Sequence, residues 1–129
     1  MLTKGPISPS VHGTLDYVLA AILILAPFLL GFDDDTATTV SVVAGIAELI
    51  VAATTDWSKG IVKLLPPAVH GMIDSVFVVA LIIAPFLFGF SDDDTAMVFF
   101  VVLGLGGVAL VAATRFVDDQ PDPQRGAAV

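Results

Sequence analysis

Two histidine–aspartate pairs recur in this sequence at one spacing. His12 and Asp16 stand four residues apart, and His70 and Asp74 repeat the arrangement at an offset of 58. On a helix, residues i and i+4 share a face, so each pair presents an imidazole and a carboxylate side by side. Glu48 adds a third carboxylate within another apolar stretch. Groups of this kind can relay protons, hold a cation, or ligate a haem or metal through the two imidazoles. The plainer alternative is structural, with each pair tying helices together and satisfying its own polar atoms. The spacing is common, so the structural role is the expectation, with no metal and no cofactor.

Other chemistry is absent from the sequence. It has no Cys, which removes thiol nucleophiles, thiolate metal sites and disulfides together. No nucleophile–base pair, zinc-protease spacing or phosphate-binding loop is present, so no catalytic residue is expected and the protein is not expected to be an enzyme. Gly104, Gly106 and Gly107 follow no strand. The acidic runs Asp33–Asp35 and Asp92–Asp94 lack the ligand spacing and glycine of a calcium loop, and read as solvated turns with Asp35 and Asp94 as helix caps.

The elements that must position these residues are membrane spans. Of 129 residues 57% are hydrophobic and only 14% charged, and the mean hydropathy is +0.97. A hydrated surface usually carries about 25% charged residues. The charges cluster between apolar runs of about 20 residues, the length that crosses a bilayer. A net charge of −8 argues against a nucleic-acid partner, which would need clustered Lys and Arg. The first apolar run is too long for a signal peptide and recurs in mid-chain, so it is expected to be a mature helix.

That recurrence defines the architecture. Val11–Phe32 and Val69–Phe90 share thirteen of 22 positions at the offset of 58. DDDTA then recurs at an offset of 59, as Asp33–Ala37 and Asp92–Ala96, and VAAT at 60, as Val51–Thr54 and Val111–Thr114. On the offset of 60 the counterpart of Glu48 is Val108. The chain is a tandem duplication of a helix–acidic turn–helix unit. Ser8-Pro9 and Pro66-Pro67 suit helix starts, because proline in the first turn forfeits no hydrogen bond.

The predicted fold is an all-α integral membrane four-helix bundle made of two hairpin repeats. An arm over 1–8 precedes repeat one (9–55, spans 9–32 and 36–55). A linker over 56–66 leads to repeat two (67–116, spans 67–90 and 95–116), and the tail over 117–129 reads as disordered. Pro27 and Pro85 are expected to kink the first and third helices.

Two spans per repeat insert both copies the same way up, related by a pseudo-twofold axis along the membrane normal. Asp16, Asp74 and Glu48 then lie about 10 Å inside one membrane face, at 1.5 Å per residue. Ser41, Gly45 and Ala52, on the stripe that carries Glu48, and Gly104 and Gly107 are expected at close helix contacts. Phe77, Phe86, Phe88, Phe90, Phe99 and Phe100 are expected to face lipid or a partner. Trp57 is expected to be an interfacial anchor beside Lys59, with 61–65 along the membrane surface.

The basic residues Lys4, Lys59, Lys63, Arg115 and Arg125 all fall in the arm, the linker and the C-terminal end. The positive-inside rule therefore predicts a multi-pass protein of the cell (inner) membrane with both termini cytoplasmic.

The segment LILAPFLLGF, its copy LIIAPFLFGF and the linker TTDWSKGIVKLLPPAVHGMIDSV resemble the SPW-repeat family of small bacterial and archaeal membrane proteins. The resemblance covers about residues 9–114. The name-giving Ser-Pro-Trp stands here as Ala26-Pro27-Phe28 and Ala84-Pro85-Phe86, which keep only the proline. The resemblance implies a membrane hairpin repeat and no known activity.

Two functions follow from the sequence. The preferred one is a non-catalytic scaffold or accessory subunit that contacts lipid and forms a homo-oligomer or joins a larger membrane complex. The alternative is a proton or cation conduit, or a haem or metal carrier, built on His12, Asp16, Glu48, His70 and Asp74. A conduit needs polar groups along its whole length, and none occurs between Leu19 and Phe32 or between Val78 and Phe90.

Overall fold

The computed structural model describes residues 5–116. Lys4, Arg125 and the tail over 117–129 lie outside the described residues. Four helices are present among those described: α1 (Pro9–Leu30), α2 (Asp35–Thr54), α3 (Pro67–Leu87) and α4 (Asp94–Ala113). Each is long and apolar enough to cross a membrane. At 1.5 Å per residue they are about 30 Å long, which matches the hydrocarbon thickness. The protein is an integral membrane four-helix bundle of two tandem hairpins, with α1 packed along α2 and α3 along α4.

Local chemistry sets the helix ends. Pro9 and Pro67 open α1 and α3, and the Ser8 hydroxyl accepts the Val11 N–H at 3.2 Å. Helix α1 stops at Gly31, whose φ of 69° is the left-handed conformation that glycine adopts without strain. Helix α3 ends earlier than expected, at Leu87, with Gly89 at φ 77° in the turn beyond. The caps of α2 and α4 are Asp34 and Asp93 rather than Asp35 and Asp94. In each triplet the middle carboxylate is the one placed to reach back to free N–H groups, and the third aspartate is already helical.

Asp93 also joins the two turns. Its Oδ1 accepts the Ala96 N–H at 3.1 Å, and its Oδ2 accepts the N–H groups of Asp33 and Asp34 at 2.8 and 3.0 Å. Burial opposes the charge, but these backbone donors outweigh it and hold the carboxyl below the usual carboxylate range.

Structural register corrects the offset in the second half of each repeat. The buried positions of α1 and α3 pair at 58, from His12/His70 to Pro27/Pro85. Those of α2 and α4 pair at 59 throughout, as Ala37/Ala96, Ser41/Phe100, Gly45/Gly104 and Ala52/Val111. The VAAT match at 60 is therefore one residue out of register. The counterpart of Glu48 is Gly107, and Val108 is exposed on the lipid side.

Close helix approach depends on small residues. A Cβ on Gly45 would meet Ala20 O at 2.8 Å and Leu23 Cβ at 3.0 Å, and one on Gly104 would meet Val78 O at 3.0 Å. The Ser41 hydroxyl donates to Leu23 O at 2.6 Å, and Ala52 is fully buried. Gly107 faces Val78, while Gly106 faces open space.

At the end of the bundle that carries the acidic turns, Leu23, Leu81, Phe90 and Phe100 fill the centre. Phe77 and Phe99, half-buried, pack against them, so of the six phenylalanines only Phe86 and Phe88 are exposed. Alanines at 37, 84 and 96 leave room that aromatic rings fill.

Gly45→Val is expected to destabilise the bundle by about 1–3 kcal/mol through overpacking between α1 and α2. Gly106→Ala should leave stability unchanged. Thermal unfolding in detergent checks both, and equal effects at the two positions would refute the close approach.

Candidate functional site

At the opposite end, the histidines and aspartates of both repeats meet. His12 Nε2 lies 2.8 Å from Asp74 Oδ2 and 3.2 Å from Asp16 Oδ1. His70 Nε2 lies 2.9 Å from Asp74 Oδ2 and 3.2 Å from Asp16 Oδ2. Each imidazole thus faces the carboxylate of its own helix and that of the other repeat. All four side chains are buried. The i, i+4 spacing turns each pair inward, and the two pairs meet in one cluster.

The other ring nitrogens also reach across the repeats. His12 Nδ1 lies 2.7 Å from Thr114 Oγ1, beyond the end of α4, and His70 Nδ1 lies 2.8 Å from Thr55 Oγ1, beyond the end of α2. Each threonine hydroxyl donates its one proton to a carbonyl four residues back, Leu110 O at 2.7 Å and Val51 O at 2.6 Å. The hydroxyls must then accept, so both Nδ1 atoms carry hydrogen. That fixes the tautomers and leaves the Nε2 atoms facing the carboxylates.

Backbone pairing holds the threonines in place. Ile7 N–H donates to Ala113 O and Arg115 N–H to Ile7 O, both at 3.0 Å. The same pattern recurs in the linker, where Leu65 N–H donates to Thr54 O and Asp56 N–H to Leu65 O, both at 2.8 Å. Each segment leading into a proline-started helix also satisfies carbonyls at the end of a neighbouring one.

Aromatic rings close the cluster. Trp57 is 6% exposed, with its ring 4.3 Å from that of His70 and its indole N–H on Ala52 O at 3.2 Å. Phe116 stands 4.8 Å from His12. The residue after each histidine is a glycine that makes room: a Cβ on Gly13 would meet Trp57 at 3.1 Å, and one on Gly71 would meet Phe116 at 2.8 Å. Trp57 is therefore a lid over the imidazoles rather than an anchor at the lipid boundary. It is Ile61, Val62 and Leu64 that stand exposed in the linker.

Glu48 is buried, at 3% exposure, within electrostatic reach of both aspartates and both histidines. Its inward orientation follows the expectation, and it makes the site asymmetric. Three atoms of the cluster, Asp16 Oδ2, Asp74 Oδ1 and His70 Nε2, are buried without a hydrogen bond. His70 Nε2 is thus close to both carboxylates without hydrogen-bond geometry to either. One ligand atom from each of His12, Asp16, His70 and Asp74 can be chosen so that all four lie within 4.8 Å of one another.

Thr55, Thr114 and Phe116 escape a reading of the sequence by residue type. The signal that carries them is Thr55-Asp56-Trp57 against Thr114-Arg115-Phe116, a threonine–charge–aromatic triplet that emerges only at the offset of 59.

Thr55→Val keeps the shape but strands the His70 Nδ1–H, and should cost about 1–3 kcal/mol, as should Thr114→Val for His12. Unfolding in detergent checks this. No effect from either would mean that the threonines do not hold the rings.

A family model described as the SPW repeat domain matches residues 10–116. Neither the curated proteins nor the solved structures contain a match. The match takes in α1 from its second residue, the other three helices and every residue of the central cluster, and the chain belongs to the SPW repeat family.

Proposed function

We propose that the protein is a non-catalytic membrane protein that acts as a structural or accessory module, by self-association or within a larger membrane complex. The observation that carries this reading is that the ionisable side chains of the spans are turned inward onto one another. Trp57 and Phe116 cover them at one end, and Leu23, Leu81, Phe90 and Phe100 fill the bundle at the other. A polar path across the membrane has no room in that packing. The outward surface is apolar. It carries shallow grooves lined by Val18, Ile22, Leu25 and Phe99 on one side and by Val69, Met72, Ile73 and Val76 on another, which suit lipid chains or the helices of a partner.

Placement in the cell (inner) membrane with cytoplasmic termini belongs to the same reading. Lys59, Lys63 and Arg115 lie at the end that carries the linker, and the acidic turns carry no basic residue.

Mild detergent extraction followed by native mass measurement should yield a discrete oligomer or a stoichiometric complex. A bare monomer, or proton flux in liposomes that is lost in Glu48→Gln, would overturn the reading. For orientation, cysteines replacing Asp33 and Asp92 should react with an impermeant thiol reagent outside intact cells, and one replacing Ser58 should not. The opposite labelling would reverse the topology.

A further inference from the structure

We propose that His12, Asp16, His70 and Asp74 form a site for one divalent transition-metal ion of the zinc type, held by two imidazole Nε2 atoms and an oxygen from each aspartate. This departs from the absence of metal expected from the sequence, and it is independent of whether the protein acts as a scaffold.

Proton counting makes the argument. The threonine hydroxyls fix hydrogen on both Nδ1 atoms, so only the two Nε2 atoms can offer further protons to the carboxylates. Of the four Nε2–carboxylate contacts, only that of His12 with Asp74, at 2.8 Å, has hydrogen-bond geometry. Protons alone leave Asp16 Oδ2, Asp74 Oδ1 and His70 Nε2 unpartnered in a buried centre, where each such atom costs about 1–3 kcal/mol. A central cation needs no N–H direction and can bond one atom from each residue. It also balances charge, since two carboxylates and two neutral imidazoles leave −2.

The donor set and dimensions fit zinc. Two imidazoles and two carboxylates make a four-ligand nitrogen–oxygen site of the kind zinc takes in tetrahedral form. Metal–ligand bonds of about 2.0–2.2 Å put tetrahedral ligand atoms about 3.4 Å apart. The N···O separations of 2.8–3.2 Å, which involve Asp74 Oδ2 and both oxygens of Asp16, need to open by a few tenths of an ångström, while the widest separation among the four ligand atoms, within 4.8 Å, needs to close. Each imidazole donates its other N–H to a fixed acceptor, the arrangement that orients metal-bound histidines. Trp57 and Phe116 exclude water from coordination on their side, which makes the site closed and structural rather than catalytic.

The test uses the full chain in detergent, stripped with chelator and then given zinc chloride alone. After gel filtration, elemental analysis should find about one zinc per chain, and the melting temperature should rise with zinc and fall with EDTA. Asp16→Asn with Asp74→Asn should lose at least tenfold in affinity, Thr55→Val about 10–100-fold, and Asp33→Asn in the exposed turn nothing. Cobalt(II) in the unaltered protein should give the strong visible absorption of tetrahedral coordination, a readout that does not depend on any variant folding. Substoichiometric zinc with an unchanged melting temperature would overturn the site. So would zinc binding lost in Asp33→Asn, or cobalt bound with only weak octahedral colour.

Discussion

The bundle depends on a contact that neither repeat makes alone. A buried imidazole inside a membrane needs polar partners, and here each ring finds its Nδ1 partner across the repeat boundary. His12 takes the threonine beyond α4 and a carboxylate on α3; His70 takes the threonine beyond α2, and its other nitrogen lies 3.2 Å from the Asp16 carboxylate on α1 without a hydrogen bond to it. Much else at that end follows from holding these four residues together. The glycines after the histidines admit the covering rings, the linker and N-terminal segment grip the threonines, and the aromatic lids keep out water. Apolar packing elsewhere gives the hairpins little mutual specificity, since lipid chains are as apolar as leucine. The polar centre supplies that specificity and fixes the relative depth of the two hairpins.

Duplication has left the two His–Asp pairs equivalent and the residues around them free to differ. Buried positions pair strictly along α1 and α3, while Ser41 pairs with Phe100 and Glu48 with Gly107 along α2 and α4. Repeat two brings Phe100 into the shared core where repeat one has Ser41, and repeat one brings a carboxylate toward the imidazoles where repeat two has Gly107. The centre therefore holds three carboxyl groups, two from the repeated pair and one from Glu48, an odd number that no symmetric ancestor could hold.

The sequence carries most of this fold plainly. Apolar length, proline starts and acidic turns locate four spans to within a few residues, and the repeat gives their pairing. The pairs at i, i+4 and the inward Glu48 are legible for the same reason, since helical period and expensive charge leave few alternatives. What is hidden depends on the partner across the boundary. Nothing local marks Thr55 and Thr114 as acceptors, because their role exists only once the other repeat is docked. Asp34 and Asp93 lose the capping assignment to their neighbours because three aspartates in a row look alike until the turn geometry selects one. Trp57 next to Lys59 looks interfacial from composition, yet the space above Gly13 draws it inside. Phe90 and Phe100 look like lipid-facing residues for a similar reason: hydrophobicity within a membrane does not distinguish the inner face of a helix from the outer.

The exchanged threonine contacts also say what counts as a whole molecule. Within one hairpin the histidine sits on the first helix and the threonine beyond the second, yet the two do not meet; each is completed by its opposite number. One helix–turn–helix unit is thus half of a lock and key whose two halves have the same shape. The smallest assembly that leaves none of these donors or acceptors stranded is a pair of units standing the same way up. A chain that carried only one copy would have to find its second half in another molecule, while this chain holds two on a single tether.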